Sequence, residues 1–238
     1  METKPSLGIL LLDTVFPRIP GDVGNIQSYE YPVIIKTVTG ATVQRVVYEA
    51  DAGLLADFIQ AARELEDQGV IAITSSCGFL SVFQEAVAKS VQIPVFLSSL
   101  LQIPLAYAMT QRKVGIITAH SERLTEDVLS KAGIDAQISI AIGGLQNSPA
   151  FSNPILKDGT VLQKDAIEAE VLGIAKTLIV ENPAIGAFVF ECHNLAPYSQ
   201  AVQQATGVPV FDIVDFANWA YSAINKRGYP LPTQTSKP

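Results

Sequence analysis

Two cysteines occupy equivalent positions in two similar stretches of the chain. Cys77 follows the run GVIAITSS and Cys192 follows AIGAFVFE, and each is followed by a helix-like stretch. A Pro-Val-Phe triplet then begins at Pro94 in the first stretch and at Pro209 in the second, at the same distance from its cysteine. The chain contains no other cysteine. This matched placement predicts two thiols that face each other across one pocket, as an acid/base pair requires.

The chemistry that suits two opposed thiols is proton transfer at a carbon next to a carboxylate. Free cysteine has a pKa of about 8.5, and a helix N-terminus lowers that value. Both cysteines directly precede a predicted helix start, so we expect their thiol pKa values to be lowered. The exposed N–H groups of the same helix starts would hold a substrate carboxylate. One thiolate would remove the proton, and the opposite thiol would return one to the other face.

Each of these residues also has a structural interpretation. A single buried cysteine usually acts as a small apolar side chain, and a disulfide is disfavoured in a cytoplasmic chain. His193 is equally suited to helix capping and to substrate contact, Glu191 to the edge of a strand, and Arg18 to an exposed loop. Their roles stay open. Two histidines and two separated cysteines supply too few ligands for a metal site. We therefore expect neither a metal nor a cofactor.

Composition restricts the partners. The 238 residues carry a net charge of −7, and the pI is about 4.8, which argues against nucleic acid as a partner. No apolar run reaches the length of a bilayer span, and the N-terminal segment reads as a strand rather than a signal peptide. We expect a cytoplasmic protein with a small anionic or amide-bearing substrate and no membrane partner. A homo-oligomer is left open.

Short apolar runs alternate with longer amphipathic ones along the whole chain. The runs predict strands and helices that follow one another in chain order. The predicted strands are 7–12, 70–75, 94–97, 114–118, 136–142, 187–190 and 209–213. The predicted helices are 52–68, 79–90, 100–109, 121–131 (capped by Ser121), 163–181, 195–205 and 214–225. Such alternation is typical of parallel sheets covered by helices on both faces.

The repeat divides the chain into two halves. We predict an α/β fold of two pseudo-symmetric lobes, each a mostly parallel sheet flanked by helices, with the active site in the cleft between them. The first lobe spans residues 1–112 and the second 113–213. Residues 214–238 form a last helix and a Pro-rich tail that could pack back on the first lobe. The insertions at 16–51, with extended segments at 31–38 and 41–49, and at 143–159 would form the rim of the cleft.

Four short motifs, LLLDT, TSSCGF, GIITAH and ECHNL, resemble the aspartate/glutamate racemase superfamily, which includes hydantoin racemases, maleate isomerases and arylmalonate decarboxylases. The resemblance covers essentially the whole chain in length and lobe order. It implies cofactor-independent stereoinversion with Cys77 and Cys192 as the two bases. By residue match it also places Asp13, Thr14 and Thr118 at the substrate site. Ser76 and Asn194 would add hydroxyl and amide donors there, and Gly78, Phe79 and His193 stand directly beside the cysteines, so we expect these eight residues to contact substrate.

The chain departs from the amino-acid racemases beside both cysteines. Those enzymes usually have Asn-Thr after the first cysteine, where this chain has Gly78 and Phe79. They usually have Thr after the second, where this chain has His193 and Asn194. An aromatic ring and a bare backbone in place of polar side chains indicate a substrate other than glutamate or aspartate.

The resulting hypothesis is a racemase or isomerase that inverts a carbon next to a carboxylate or carbonyl, on an amino acid or a derivative. Within the superfamily, the alternatives are a maleate-type cis–trans isomerase and a decarboxylase. The alternative from another class is a two-lobed protein that binds a small molecule without catalysis.

Overall fold

The fold consists of two four-stranded sheets, and all strand pairs in both are parallel. The computed structural model describes residues 4–226 and 228. The tail that the sequence predicts after residue 225 lies almost entirely outside these residues. The first sheet has the order β2-β1-β3-β4 and the second β6-β5-β7-β8. The strands are β1 (Leu7–Leu12), β2 (Val33–Val38), β3 (Ala72–Ser75), β4 (Val95–Phe96), β5 (Lys113–Thr118), β6 (Ile140–Gly144), β7 (Ile185–Phe190) and β8 (Val210–Phe211).

Helices cover both sheets, and several begin with a short 3-10 turn. The α-helices are α1 (Leu55–Asp67), α2 (Gln84–Ser90), α3 (Ile103–Thr110), α4 (Glu126–Lys131), α5 (Pro149–Phe151), α6 (Lys164–Glu181), α7 (Ser199–Thr206) and α8 (Ile213–Ile224). The two sheets have the same strand order and share one large apolar core. The predicted fold class, α/β with two similar lobes, is therefore confirmed.

The last helix of each half packs on the sheet of the other half. Helix α3 contacts β5 and β7 of the second sheet. Helix α8 packs on the first sheet, where Ala217 and Tyr221 join a cluster with Leu7 and Phe96. The predicted boundary at residues 112/113 therefore assigns α3 to the first lobe, although α3 packs on the second sheet. This exchange joins the two halves.

Three local predictions are wrong. Residues 44–48 were predicted as extended, but they form one turn of π-helix (Gln44–Tyr48). The strand predicted at 136–142 begins later, at Ile140. The cap of α4 is Thr125, whose side chain accepts a hydrogen bond from the backbone of Val128, whereas Ser121 begins a separate 3-10 turn. In each case the apolar pattern marked the region, and hydrogen bonding by the local side chains or the turn set its boundary.

Within residues 4–226 and 228, no helix combines the length and the apolar character that a membrane span needs.

Candidate active site

A cavity of about 30 Å³ lies between the carboxyl ends of the two sheets, and both cysteines line it. Seven of the ten residues predicted for the site line this cavity: Thr14, Ser76, Cys77, Gly78, Phe79, Cys192 and Asn194. Asp13, Thr118 and His193 do not. Both insertions contribute to the wall, the first through Phe16, Arg18, Val43 and Val47 and the second through Ile155 and Leu156. The predicted meeting of the two cysteines at one cavity is thus observed.

Cys77 follows β3 at the position before a 3-10 helix, Gly78–Phe83. The backbone N–H groups of Phe79 and Leu80 act on its sulfur in the direction that lowers the pKa. Burial acts more strongly, and together with the nearby Glu191 it raises the pKa of the Cys77 thiol above its ordinary value. The predicted lowering by a helix N-terminus is therefore wrong for the net effect, because desolvation outweighs two N–H groups.

Cys192 follows β7, and its thiol donates a hydrogen bond to Oδ1 of Asn194 at 3.6 Å. The next helical turn begins only at Ala196, so Cys192 does not precede a helix start as predicted. Burial, and after it the Glu191 carboxylate, raises the pKa of the Cys192 thiol well above its ordinary value. Asn194 is itself held by Asp22, whose Oδ2 accepts from Nδ2 at 2.7 Å.

Arg18 brings a positive charge to the cavity wall. Its Nη1 forms an ion pair with Oδ1 of Asp22 at 3.0 Å, and its Nη2 donates to Oγ1 of Thr14 at 3.0 Å. The guanidinium group lies over the ring of Phe16, 4.6 Å from the ring centroid. A loop arginine is normally solvated, but this one is fixed on three sides. A guanidinium held in this way is suited to bind a carboxylate.

Two residues predicted for substrate binding have structural partners instead. Asp13 is exposed, and its Oδ2 accepts a hydrogen bond from the backbone N–H of Gly40 at 2.9 Å. Thr118 is fully buried and donates to Oε2 of Glu191 at 2.7 Å. Asp13 therefore orders the first insertion. Thr118 acts on the cavity only through Glu191.

His193 points away from the cavity and connects the two halves. Its Nε2 accepts from the backbone N–H of Ser99 at 3.1 Å, and its Nδ1 lies 2.8 Å from the carbonyl oxygen of Ser75. Acceptance at Nε2 places the proton on Nδ1, so that both ring nitrogens are occupied by backbone groups. Burial lowers the pKa of His193 to about 3. The prediction that His193 binds substrate is replaced by a role as a neutral bridge.

The bridge predicts a pH dependence of folding. The folded-state pKa of about 3 lies below the ordinary value of 6.5. Between these pH values the unfolded chain binds a proton that the folded chain does not. The contribution of His193 is therefore complete above pH 6.5 and is lost as the pH falls toward 3. We expect the difference in unfolding free energy between wild type and His193→Gln to shrink by up to about 1.4 kcal/mol per pH unit, measured by urea denaturation. A difference that stays constant from pH 7 to pH 4 would refute this bridge.

Glu191 is the functional candidate that sequence reasoning set aside. It is fully buried, lines the cavity beside Cys192, and its Oε2 accepts from Thr118 and, at 3.4 Å, from the backbone N–H of Ala119. Its Oε1 has no hydrogen-bond partner among the described residues. Burial raises the pKa of Glu191 to about 7. The sequence contains one signal for Glu191, which is an acidic residue directly after the apolar run of β7. Every residue of that strand is buried.

Asp158 joins the two insertions over the cavity. Its Oδ1 accepts hydrogen bonds from the backbone N–H groups of Val15 at 2.7 Å and Phe16 at 3.2 Å. A water molecule needs about 10–15 Å³ of such cavity volume, so a cavity of about 30 Å³ has room for two or three waters. A substrate with several carbon atoms therefore requires the insertions to separate. The Asp158 hydrogen bonds resist that separation.

Removal of the Asp158 side chain, and with it these two hydrogen bonds, should expose the thiols. Asp158 has a φ of 53°, a value that glycine adopts without strain. We expect Asp158→Gly to raise the rate of thiol alkylation by iodoacetamide about tenfold, which corresponds to about 1.4 kcal/mol of lost hydrogen bonding. Gln111→Gly, at a φ of 51° after α3, relaxes the backbone equally and serves as the control. Equal alkylation rates in wild type and Asp158→Gly would show that Asp158 does not hold the cavity closed.

The two similar sheets and the paired cysteines are typical of a two-lobed racemase fold, and comparison with known sequences supports this class. Residues 28–221 match the Asp/Glu/Hydantoin racemase family. The chain belongs to this family. Allantoin racemase from Klebsiella pneumoniae has a similar structure, with a TM-score of 0.67 and 15% identity over 92% of this chain and 86% of that one. At this level of identity the likeness concerns the fold.

Relatives that are more similar in sequence have another activity in their names. Dimethylsulfoniopropionate lyase 7 of Emiliania huxleyi is 34% identical over 232 residues, which cover 92% of this chain and 67% of the relative. Dimethylsulfoniopropionate lyase 3 of the same organism is 35% identical over 90% of this chain and 58% of its own length. The chain thus spans about two thirds or less of the length of these two relatives.

Proposed function

We propose that the protein is a lyase that cleaves dimethylsulfoniopropionate into dimethyl sulfide and acrylate, with Cys77 as the base. The observation that carries the proposal is the meeting of both cysteines with Arg18 in one largely apolar cavity. The names of the relatives at 34% and 35% identity supply the substrate. The proposal keeps the sequence-based expectation of an enzyme within the racemase family. It replaces the expected reaction, inversion of a carbon centre, by elimination.

Elimination uses the same first step as racemisation. The Cys77 thiolate takes a proton from the carbon next to the carboxylate, while Arg18 holds that carboxylate and stabilises the charge that develops on it. The electron pair of the broken C–H bond forms the C=C bond of acrylate. The electron pair of the C–S bond leaves with sulfur as neutral dimethyl sulfide. The thiol keeps the proton, and no oxidant or reductant is needed.

The apolar wall fits the other end of such a substrate. A dimethylsulfonium group is a cation without hydrogen-bond donors, so it needs apolar contacts and a source of negative potential. Phe79 supplies an aromatic ring to the cavity wall, and ring faces attract cations that carry methyl groups. The ring of Phe16 already carries the guanidinium of Arg18. The carboxyl group of Glu191 adds negative charge when it is ionised. A carboxylate near Arg18 and a sulfonium near Phe79 would place the carbon between them within the reach of a thiol.

The test is direct measurement of product. Purified protein incubated with dimethylsulfoniopropionate should release dimethyl sulfide, measured by gas chromatography of the headspace, and should continue to do so after EDTA treatment. The amide analogue, in which the carboxylate is neutral, should react far more slowly because Arg18 then has no charged partner. Alkylation of Cys77 in a separate sample of the same preparation shows that the thiol is present and reactive. Absence of dimethyl sulfide from such a preparation would refute the proposal.

Racemisation of an amino acid or a derivative is the second candidate. The observation that favours it is the presence of two thiols that come from equivalent positions of the two halves. An elimination needs one base, whereas inversion needs a group on each face of the carbon. Chiral amino acids and hydantoins incubated in deuterated water would lose optical rotation and gain deuterium at the α-carbon. Such exchange without release of dimethyl sulfide would favour this candidate over the lyase.

A further inference from the structure

The unpaired oxygen of Glu191 lies beside the Cys77 segment. An added Cβ on Gly78 would lie 2.5 Å from Oε1 of Glu191 and 2.1 Å from its backbone oxygen. The carboxyl group therefore fills the space that any other side chain after Cys77 would need. The backbone N–H of Phe79 lies close enough to influence both the Glu191 carboxyl and the Cys77 sulfur. The carboxyl and the thiol thus share one small part of the wall.

The position of Glu191 breaks the symmetry between the halves. In the first half the residue before the cysteine is Ser76, whose Oγ accepts from the backbone N–H of Leu12 at 2.9 Å. In the second half Glu191 accepts from Ala119 at the corresponding place, after the first strand of its sheet. Both anchors are alike, but the longer side chain carries an ionisable group into the cavity. The two thiols are therefore not in equivalent surroundings.

We propose that Glu191 is a third catalytic group, which accepts the thiol proton of Cys77 at Oε1 and so restores the thiolate after each turnover. This role rests on the proposed function, in which Cys77 is the base. Because the thiol and Oε1 share no direct hydrogen bond, a water molecule in the cavity relays the proton. The S–H bond breaks with its electron pair left on sulfur, the water accepts that proton, and the water passes one of its own protons to Oε1, which becomes a carboxylic acid. Water in the cavity then takes the proton from Glu191, which returns to its carboxylate form.

The other groups around the cavity are less suited to this step. His193 has both ring nitrogens bound to backbone groups, and Arg18 has no acceptor atom. Asp22 is engaged by the guanidinium of Arg18 and by Asn194. The thiol of Cys192 is a hydrogen-bond donor to Oδ1 of Asn194. Glu191 combines a free oxygen with a pKa near neutrality, which burial raises to about 7.

The first test is turnover of Glu191→Gln, which keeps the shape of the side chain and removes the acid. We expect kcat for the release of dimethyl sulfide to fall about 100-fold, as loss of a proton-transfer group does, with little change in KM. Glu181→Gln, at the exposed end of α6, changes the net charge equally and should behave as wild type. A Glu191→Gln variant with wild-type kcat would overturn the proposal.

The second test needs no substrate, so it separates failure of this role from failure of the proposed function. Iodoacetamide alkylation of Cys77 is followed from pH 5 to pH 10 in a Cys192→Ser background, with and without Glu191→Gln. While Glu191 is present, a shared proton predicts an alkylation rate that rises up to about pH 7 and then levels off. Below pH 7 both groups are protonated. Above pH 7 the pair holds one proton, and the fraction of molecules in which Glu191 holds it and Cys77 is a thiolate no longer changes with pH. With glutamine the rate should keep rising above pH 7. Profiles of the same shape in both variants would overturn the proton exchange.

Discussion

Replacement of Cys77 by serine should lower the rate of dimethyl sulfide release by at least about 1,000-fold, at the upper part of the range for loss of a general base. A serine hydroxyl has nearly the same size but is a far weaker acid, so it supplies almost no base near neutral pH. The backbone N–H groups that act on the Cys77 sulfur would remain. The measurement is headspace gas chromatography at saturating substrate. Retention of more than a tenth of the wild-type rate would exclude Cys77 as the base.

The Cys192→Ser variant is the matched comparison, because it removes the other thiol of the same cavity. Elimination needs no proton at the opposite face, so we expect a loss of no more than about tenfold. Racemisation predicts a different pattern, in which Cys77→Ser and Cys192→Ser each abolish inversion. Equal and complete loss of dimethyl sulfide release in both variants would show that the second thiol takes part in elimination as well.

A second large effect is expected from Gly78→Ala. The added methyl group would meet the backbone oxygen of Glu191 at 2.1 Å and its Oε1 at 2.5 Å, and a backbone atom does not move away easily. Overpacking of this kind costs about 1–3 kcal/mol. The displacement of Glu191 or of Cys77 should also lower activity about 100-fold, the value for loss of one acid/base group. Unfolding in urea and the release of dimethyl sulfide measure the two effects.

Gly173→Ala provides the control for this substitution. Gly173 lies in α6, and an added Cβ would meet nothing within 4 Å. Alanine in a helix is favoured over glycine by about 1 kcal/mol, so this variant should be slightly more stable and as active as wild type. Gly78→Ala with normal stability and normal activity would contradict the close approach of Glu191.

The sequence predicted the sheets and the meeting of the cysteines because both follow from local patterns. Strands 7–12 and 114–118 agree with β1 (Leu7–Leu12) and, within one residue, with β5 (Lys113–Thr118). The apolar run of each strand is continuous, as in sheets covered on both faces. The equal distance from each cysteine to its Pro-Val-Phe triplet then places both thiols after equivalent strands. No long-range contact was needed for these inferences.

The roles of the neighbouring side chains could not be predicted in this way, because contacts across the halves decide them. Glu191 is held by Thr118, and His193 bridges backbone groups of Ser75 and Ser99. Arg18 becomes part of the wall only because Asp22 and Thr14 fix it. The thiol pKa values went in the opposite direction from the prediction, since burial is a property of the whole fold.

The most direct test of the central claim compares dimethylsulfoniopropionate deuterated at the carbon next to the carboxylate with the same compound deuterated at the carbon next to sulfur. Proton removal by Cys77 predicts dimethyl sulfide release that is several-fold slower for the first compound and nearly unchanged for the second, at low substrate concentration. A larger effect for deuterium next to sulfur, or no release of dimethyl sulfide from either compound, would contradict the account.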